Sequence, residues 1–149
     1  MKRRILLQAI LAGTLGVHLY AAAALPVVEV YKNPSCGCCT GWVKHLEENG
    51  FTVKVQQVAN PSDYRAKFGI PDALGSCHTA IVQGYAIEGH VPASDIKRLL
   101  AEHRKVKGLA VPSMPPGSPG MEGNRSDPYD VLLVKTDGSY STYHHYNGK

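Results

Sequence analysis

The sequence is poor in the features that mark a heavily cross-linked, disordered or fibrous protein. It has only four cysteines in 149 residues, too few for a scaffold of this length held together by disulfides. Hydrophobic residues make up 44% of the chain and charged residues 19%, a composition that excludes a disordered chain and a coiled coil. No internal or collagen-like repeat is found. These absences leave an ordinary globular protein of one domain, or two at most.

The first 24 residues are typical of an export signal and not of a folded segment. Basic Lys2, Arg3 and Arg4 are followed by an apolar run over residues 5–19 and by small residues at 21–24. This order predicts a secretory signal peptide cleaved after residue 23 or 24, and therefore a periplasmic protein. A membrane anchor is the alternative, but the apolar run is short for a spanning helix. We expect no membrane span after cleavage.

Removal of the signal also removes most of the net charge. The whole chain carries a formal charge of +4. Without its three N-terminal basic residues it keeps 13 basic residues against 12 acidic ones, or +1. Binding to nucleic acid relies on many Lys and Arg contacts to phosphates, so no nucleic-acid partner is expected. The mature chain of about 125 residues can bury a core, and we expect it to be a monomer.

The body of the chain alternates strand and helix signals. Residues 27–31 and 52–58 predict strands, each followed by a helix signal, and the second helix is predicted over 60–69. Short apolar runs on either side of Gln83-Gly84 predict a hairpin, and residues 92–105 predict a third helix. The order β-α-β-α-β-β-α predicts an α/β sandwich of the thioredoxin type over residues 25–108, with the hairpin as its antiparallel edge.

Residues 109–149 are predicted to be an extension packed on this domain. Residues 111–128 contain five of the ten prolines, which excludes a helix or a central strand there. Two later runs flank Thr136-Asp137-Gly138 and predict a second hairpin.

Three of the four cysteines lie in the loop between the first predicted strand and helix: Cys36, Cys38 and Cys39. Cys36 and Cys39 form a Cys-x-x-Cys pair, typical of a redox-active dithiol, and are the catalytic candidates. A helix N-terminus favours the thiolate, which is both nucleophile and metal ligand. Cys38 is superfluous in simple dithiol exchange. Bridging thiolates suit Cu(I), so the spacing favours several sulfur-bridged Cu(I) ions over zinc.

A fourth thiol, Cys77, precedes the third predicted strand. In thioredoxin folds the segment that enters this strand faces the Cys-x-x-Cys loop and normally carries a cis-proline. Here the sequence is Cys77-His78-Thr79, without proline. We therefore expect Cys77 to be a fourth metal ligand and include His78 as a further candidate. The plainer alternative is a structural disulfide from Cys36 or Cys39 to Cys77.

Four motifs taken in order resemble the CopG-like family of periplasmic copper-resistance proteins, long described as a domain of unknown function. They lie at residues 33–39, 76–80, 87–93 and 117–122, and the resemblance spans residues 27–146. It implies a thioredoxin-like domain whose Cys-x-Cys-Cys loop binds copper through bridging sulfurs. It also implies an extension that helps to enclose the metal, and a role in copper redox. The implied cluster thiols are Cys36, Cys38, Cys39 and Cys77.

The extension contains residues that could serve as additional copper ligands. Thioether sulfur suits Cu(I), so Met114 and Met121 are candidates, although packing explains either equally well. Successive strand residues point to opposite faces, so at most one of His144 and His145 can face a given site, and His144 is the candidate. His90, before the third predicted helix, is interpreted as a residue that supports the local conformation or contacts a ligand residue, and not as a ligand itself.

Three functions fit these patterns. The preferred one is a periplasmic copper protein that interconverts Cu(I) and Cu(II), with an enzymatic role as copper/thiol oxidoreductase favoured. Its expected partners are copper ions and periplasmic copper chaperones or efflux components. The alternatives are a metal-independent thiol-disulfide oxidoreductase and a copper chaperone without redox turnover.

Overall fold

The computed structural model of the protein describes residues 24–148. The predicted signal peptide, residues 1–24, lies outside the described residues except for Ala24. Among the described elements, no helix is long and apolar enough to cross a membrane. The elements are β1 Val28–Lys32, α1 Gly37–Glu48, β2 Val53–Gln57, α2 Pro61–Lys67, a 3-10 turn Asp72–Leu74, β3 His78–Val82, β4 Tyr85–Gly89, α3 Ala93–Glu102, β5 Gly108–Val111, β6 Tyr129–Val134 and β7 Tyr140–Tyr146.

The strands form one seven-stranded sheet in the order β2-β1-β3-β4-β5-β6-β7. The β1–β2 and β4–β5 pairs are parallel and the other pairs are antiparallel. The chain is therefore a mixed α/β protein, as the alternation of signals predicted, and the predicted β-α-β start is confirmed by the parallel β1–β2 pair.

The position predicted for the first hairpin is wrong. The β3–β4 hairpin forms, but β3 pairs with β1 and β4 pairs with β5, so it lies in the middle of the sheet. The cause is β5, a four-residue strand that sequence periodicity did not reveal. All four residues of β5 are buried, so it shows no alternation of polar and apolar residues.

The second predicted hairpin, β6–β7, is present and continues the same sheet through β5. Where a domain ends and an extension begins therefore remains a prediction, because the sheet runs across residue 108. Residues 112–128 contain no helix or strand, as their prolines require. This segment, called the arm below, joins β5 to β6.

Helices cover both faces of the sheet. The larger core cluster joins α1 and α3 to alternate strand residues, and its fully buried members include Trp42, Leu46, Ile96 and Leu99. A smaller cluster is built on the strand residues between these positions, whose side chains point to the opposite face of the sheet. It includes Ile70 and Leu74 from the segment after α2. The apolar faces of α1 and α3 thus fix the start of α1 against the sheet, and that is where the cysteine loop lies.

The third helix is shorter than predicted. It ends at Glu102 instead of residue 105, because His103 adopts a left-handed conformation with φ 49° that stops the helix. The predicted start of α2 is confirmed, with Asn60 in the capping position and Pro61 as the first helical residue. The difference in α3 lies at an element end, where sequence signals are weakest.

Candidate metal centre

A tight turn places the cysteine loop at the N-terminus of α1. The Asn33 side-chain oxygen accepts hydrogen bonds from the Ser35 backbone N–H at 3.0 Å and from the Ser35 hydroxyl at 2.6 Å. The Cys36 N–H donates to the Asn33 carbonyl at 3.1 Å. Cys36 is the capping residue of α1, and Cys38 and Cys39 lie in its first turn. All three sulfurs are therefore near the positive end of the helix, which favours negative charge.

The four cysteines converge, and two of them are joined. Cys36 and Cys39 form a disulfide, while Cys38 and Cys77 are free. The Cys38 sulfur is 3.5 Å from that of Cys36 and 3.7 Å from that of Cys77, and the Cys39 sulfur is 3.3 Å from that of Cys77. All four sulfurs lie within 4.8 Å of one another. The alternative of a structural disulfide to Cys77 is wrong, because Cys36 and Cys39 pair with each other.

Two buried histidines flank Cys77 and complete a second group of converging donors. The Cys77 sulfur lies 3.3 Å from His78 Nδ1 and 3.0 Å from His90 Nε2. His90 Nδ1 is 2.7 Å from the Pro119 carbonyl oxygen. A carbonyl can only accept, so Nδ1 carries the proton and the lone pair of Nε2 faces Cys77. The arm thereby fixes the tautomer of His90.

Burial decides the charge state of these groups. It raises the pKa of the Cys77 thiol to about 12, with the neighbouring Cys38 thiol acting in the same direction. It lowers the pKa of His78 to about 3, and the nearby His90 adds to this effect. Burial also lowers the pKa of His90. Both imidazoles are therefore neutral at neutral pH, the state in which imidazole binds metals.

One buried nitrogen of this group has no hydrogen-bond partner within the described part of the chain. His78 is fully buried, yet its Nε2 makes no hydrogen bond. A buried polar atom without a partner is costly and calls for an explanation. Together with the sulfurs, the neutral imidazoles form a soft donor set of the kind that copper accepts. The residues present therefore fit a copper site.

Solvent reaches this centre through a groove of about 370 Å³. Its lining includes Cys36, Cys77, Asn33, Arg65 and Ser76. Cys39 is fully buried, whereas Cys36 is partly exposed. An external thiol that enters the groove would therefore meet the disulfide at the sulfur of Cys36.

Comparison with known proteins places the chain in a family. The family described as "Protein of unknown function, DUF411" matches residues 74–121. A solved structure named "Copper resistance protein copG- Form 2" is 44% identical, with a TM-score of 0.78, covering 82% of this chain and 98% of that one. The form 1 structure has the same identity and TM-score and covers 83% and 99%. The chain belongs to the CopG-like family of copper-resistance proteins. None of the curated proteins matches it.

The DUF411 match spans the half of the centre contributed by Cys77, His90 and the arm. The Cys-x-Cys-Cys loop lies before it, and the CopG structures, which align over more than four-fifths of this chain, extend the relationship to most of the chain. The relationship to the CopG structures is therefore not confined to the segment that the DUF411 family matches.

The accessory residues proposed from the sequence occupy different places in this CopG-like fold. Met114 lies over the cluster, with its sulfur 3.9 Å from that of Cys38. Met121 is held by its backbone within the arm, through hydrogen bonds with Gly117 and Ser118. His144 Nδ1 pairs with Asp95 at 2.8 Å. Among the described residues, Met114 is the one of these three whose side chain lies within hydrogen-bond distance of a cluster sulfur.

His90 was undervalued by sequence reasoning, although a signal for it existed. The two-residue turn Gln83-Gly84 pairs Val82 with Tyr85, and the same register pairs Thr79 with Glu88. Two further steps along this antiparallel pair set Cys77 opposite His90. The hairpin register by itself thus predicts that this imidazole meets the fourth thiol.

Proposed function

We propose that this chain is a periplasmic copper-binding protein of copper resistance. Its cysteines hold several Cu(I) ions through bridging sulfur, and it interconverts Cu(I) and Cu(II) as an oxidoreductase. The similarity to two solved structures named as copper resistance protein copG supports a copper-related role. The observation that carries the proposal is the convergence of four cysteine sulfurs within 4.8 Å.

The donor set supports copper in particular. Sulfurs separated by 3.3–3.7 Å are close enough to share a soft ion between them. His78 and His90 are kept neutral by burial and add nitrogen lone pairs. The Met114 thioether lies at the edge of the cluster. Copper held there would supply a one-electron couple.

The disulfide makes the ligand set dependent on redox state. While Cys36 and Cys39 are joined, neither can act as a thiolate ligand. Two electrons from a thiol reductant break the sulfur–sulfur bond and leave two thiolates in its place. Cys36 and Cys39 then join Cys38 and Cys77, so that reduction doubles the number of available sulfurs. Reoxidation withdraws the same pair.

A thioredoxin-like architecture and an exported location complete the proposal. The strand order β2-β1-β3-β4, with a Cys-x-x-Cys pair at the start of α1, supports the thioredoxin type. The N-terminal sequence pattern supports export to the periplasm. In that compartment the protein would work as a monomer with copper chaperones or efflux components.

The test is copper loading of the reduced protein without oxygen. We expect more than one Cu(I) per chain by elemental analysis, and copper-to-copper scattering in X-ray absorption spectra. Cys38→Ser should lower the copper number, because Cys38 lies between the sulfurs of Cys36 and Cys77. Lys105→Ala, an exposed position beyond α3, is the control. Fewer than one copper per chain, or an unchanged number in Cys38→Ser, would contradict the cluster.

A second function is favoured by one specific observation. The Cys36–Cys39 disulfide lies at a helix N-terminus beside an open groove, the arrangement of a thiol-disulfide oxidoreductase. Insulin reduction that persists in Cys38→Ser and without copper would favour this metal-independent activity. Stable loading without any change between Cu(I) and Cu(II) in the presence of an electron donor or acceptor would instead indicate a copper chaperone.

A further inference from the structure

A buried carboxylate lies beneath the Cys77 segment and has no place among the metal donors. Glu88, on β4, is 0% exposed. A buried charge is costly unless it is paired and hydrogen bonded. Its carboxylate accepts hydrogen bonds from the Thr79 hydroxyl at 2.6 Å, the Ser76 backbone N–H at 2.8 Å and Arg65 Nη1 at 3.3 Å. Both carboxylate oxygens of Glu88 thus accept hydrogen bonds.

Arg65 connects this carboxylate to the surface. Its side chain, on α2, is only 13% exposed, and it also pairs with the exposed Asp72 at 3.1 Å. The same guanidinium lines the groove beside Cys36 and Cys77. Arg65 therefore ties α2 to β4 directly behind the metal centre and compensates the charge of Glu88.

The Ser76 backbone is held from other sides as well. The Ser76 hydroxyl donates to the Ser113 carbonyl at 2.5 Å, and the Ser113 N–H donates to the Gly75 carbonyl at 3.0 Å. At Gly89, where φ is +71°, a Cβ would lie 2.6 Å from the Ser76 side chain. The segment thus lies between the arm, Gly89 and the carboxylate of Glu88, with no proline at residues 76–79 to hold it.

We propose that Glu88 is a positioning residue for Cys77: its carboxylate, paired with Arg65, fixes the Ser76 backbone so that the next residue directs its thiol at the cluster. The Cys77 sulfur has neighbours at 3.0 Å in His90, 3.3 Å in Cys39 and 3.7 Å in Cys38. Such distances require a fixed backbone. Glu88 acts through Ser76 and touches none of these donors.

The proposal is linked to the proposed function only through Cys77 as a ligand, so its test begins without copper. In a Cys38→Ser background with the Cys36–Cys39 disulfide intact, Cys77 is the single free thiol. Its alkylation by iodoacetamide is followed by mass spectrometry. We expect Glu88→Ala to increase the rate about tenfold, because the freed segment opens locally. Glu88→Gln keeps the size and one acceptor and should fall between Glu88→Ala and the parent.

The control is Val134→Ala, in the same background. It removes buried methyl groups from β6, two strands away from Glu88, and so lowers stability without touching Ser76. A rate in Glu88→Gln equal to the rates in the parent and in Val134→Ala would overturn the proposal, whether or not Glu88→Ala folds. In the reduced full chain with Cys38 restored, competition with a Cu(I) chelator should show weaker binding for both Glu88 variants than for Val134→Ala. Failure of copper binding in every variant would refute the proposed function but leave the alkylation result standing.

Discussion

The substitution Gly120→Ala is expected to push the arm away from the metal centre, because there is no room for a methyl group at this position. Its φ is +85°, and a Cβ there would lie 2.5 Å from the Cys38 carbonyl oxygen and 2.6 Å from the Trp42 backbone nitrogen. Both obstacles are backbone atoms of α1, so neither can rotate away. Gly120 directly follows Pro119, whose carbonyl holds the proton-bearing nitrogen of His90.

The cost of Gly120→Ala has three sources. A left-handed conformation costs a residue with a Cβ about 1–2 kcal/mol. Forcing a methyl group into a filled space costs about 1–3 kcal/mol. If the arm moves outward, the buried His90 loses its hydrogen bond to Pro119, at about 1–3 kcal/mol. The clash and the lost hydrogen bond are alternatives, because outward movement of the arm relieves the clash, so we expect the free energy of unfolding to fall by about 2–5 kcal/mol.

Urea denaturation followed by circular dichroism measures this change. The matched control is Gly123→Ala, in the same arm, where a Cβ would meet nothing within 4 Å. That variant should stay within about 0.5 kcal/mol of the parent. Equal stabilities for the two variants would refute the inference that close packing of Gly120 on α1 holds the arm in place. The claim that the arm fixes the tautomer of His90 would fall with it.

Three further predictions concern the centre and its support. Burial lowers the pKa of His78 to about 3. Below about pH 6.5 His78 binds a proton in the unfolded chain but not in the folded copper-free protein, so this residue alone should lower the free energy of unfolding by about 1.4 kcal/mol per pH unit from pH 6 to 4. Denaturation at each pH should therefore show a shallower slope for His78→Leu. Trp42→Phe removes the 2.8 Å hydrogen bond to the Val91 carbonyl and should cost about 1–3 kcal/mol, whereas an unchanged Tm would disprove that role. Met114→Leu removes the thioether 3.9 Å from the Cys38 sulfur and should weaken Cu(I) binding in a chelator competition without changing Tm, while unchanged binding would assign Met114 to packing.

Local features of this fold were accessible from the sequence because their causes are local. The helix signal around Trp42 and Leu46, the Asn60-Pro61 start of α2 and the turn at Gln83-Gly84 depend on neighbours in the chain. The parallel β1–β2 pair followed from the helix between the two strands. In contrast, β5 escaped because a short strand buried on both faces has no periodicity of its own.

The candidate site divides in the same way. Cys36, Cys38 and Cys39 occupy one loop, so their proximity needed no tertiary information. Met121 and His144 were chosen by residue type, and their role as ligands stays a prediction: the His144 ring pairs with Asp95, whereas the hydrogen bonds of Met121 are made by its backbone. Residue type alone cannot tell a ligand from a residue that makes a hydrogen bond elsewhere, because thioethers and imidazoles serve both purposes.

By itself the sequence determined the strands and helices other than β5, the cluster of three thiols at a helix start and, through the CopG-like motifs, the family. Only the tertiary structure decided that the Met114 thioether reaches Cys38 and that Glu88 lies buried beneath Ser76. The physical reason is range. Helix starts and turns arise from interactions within a few residues, whereas a sulfur's partner and a carboxylate's burial depend on how distant segments pack.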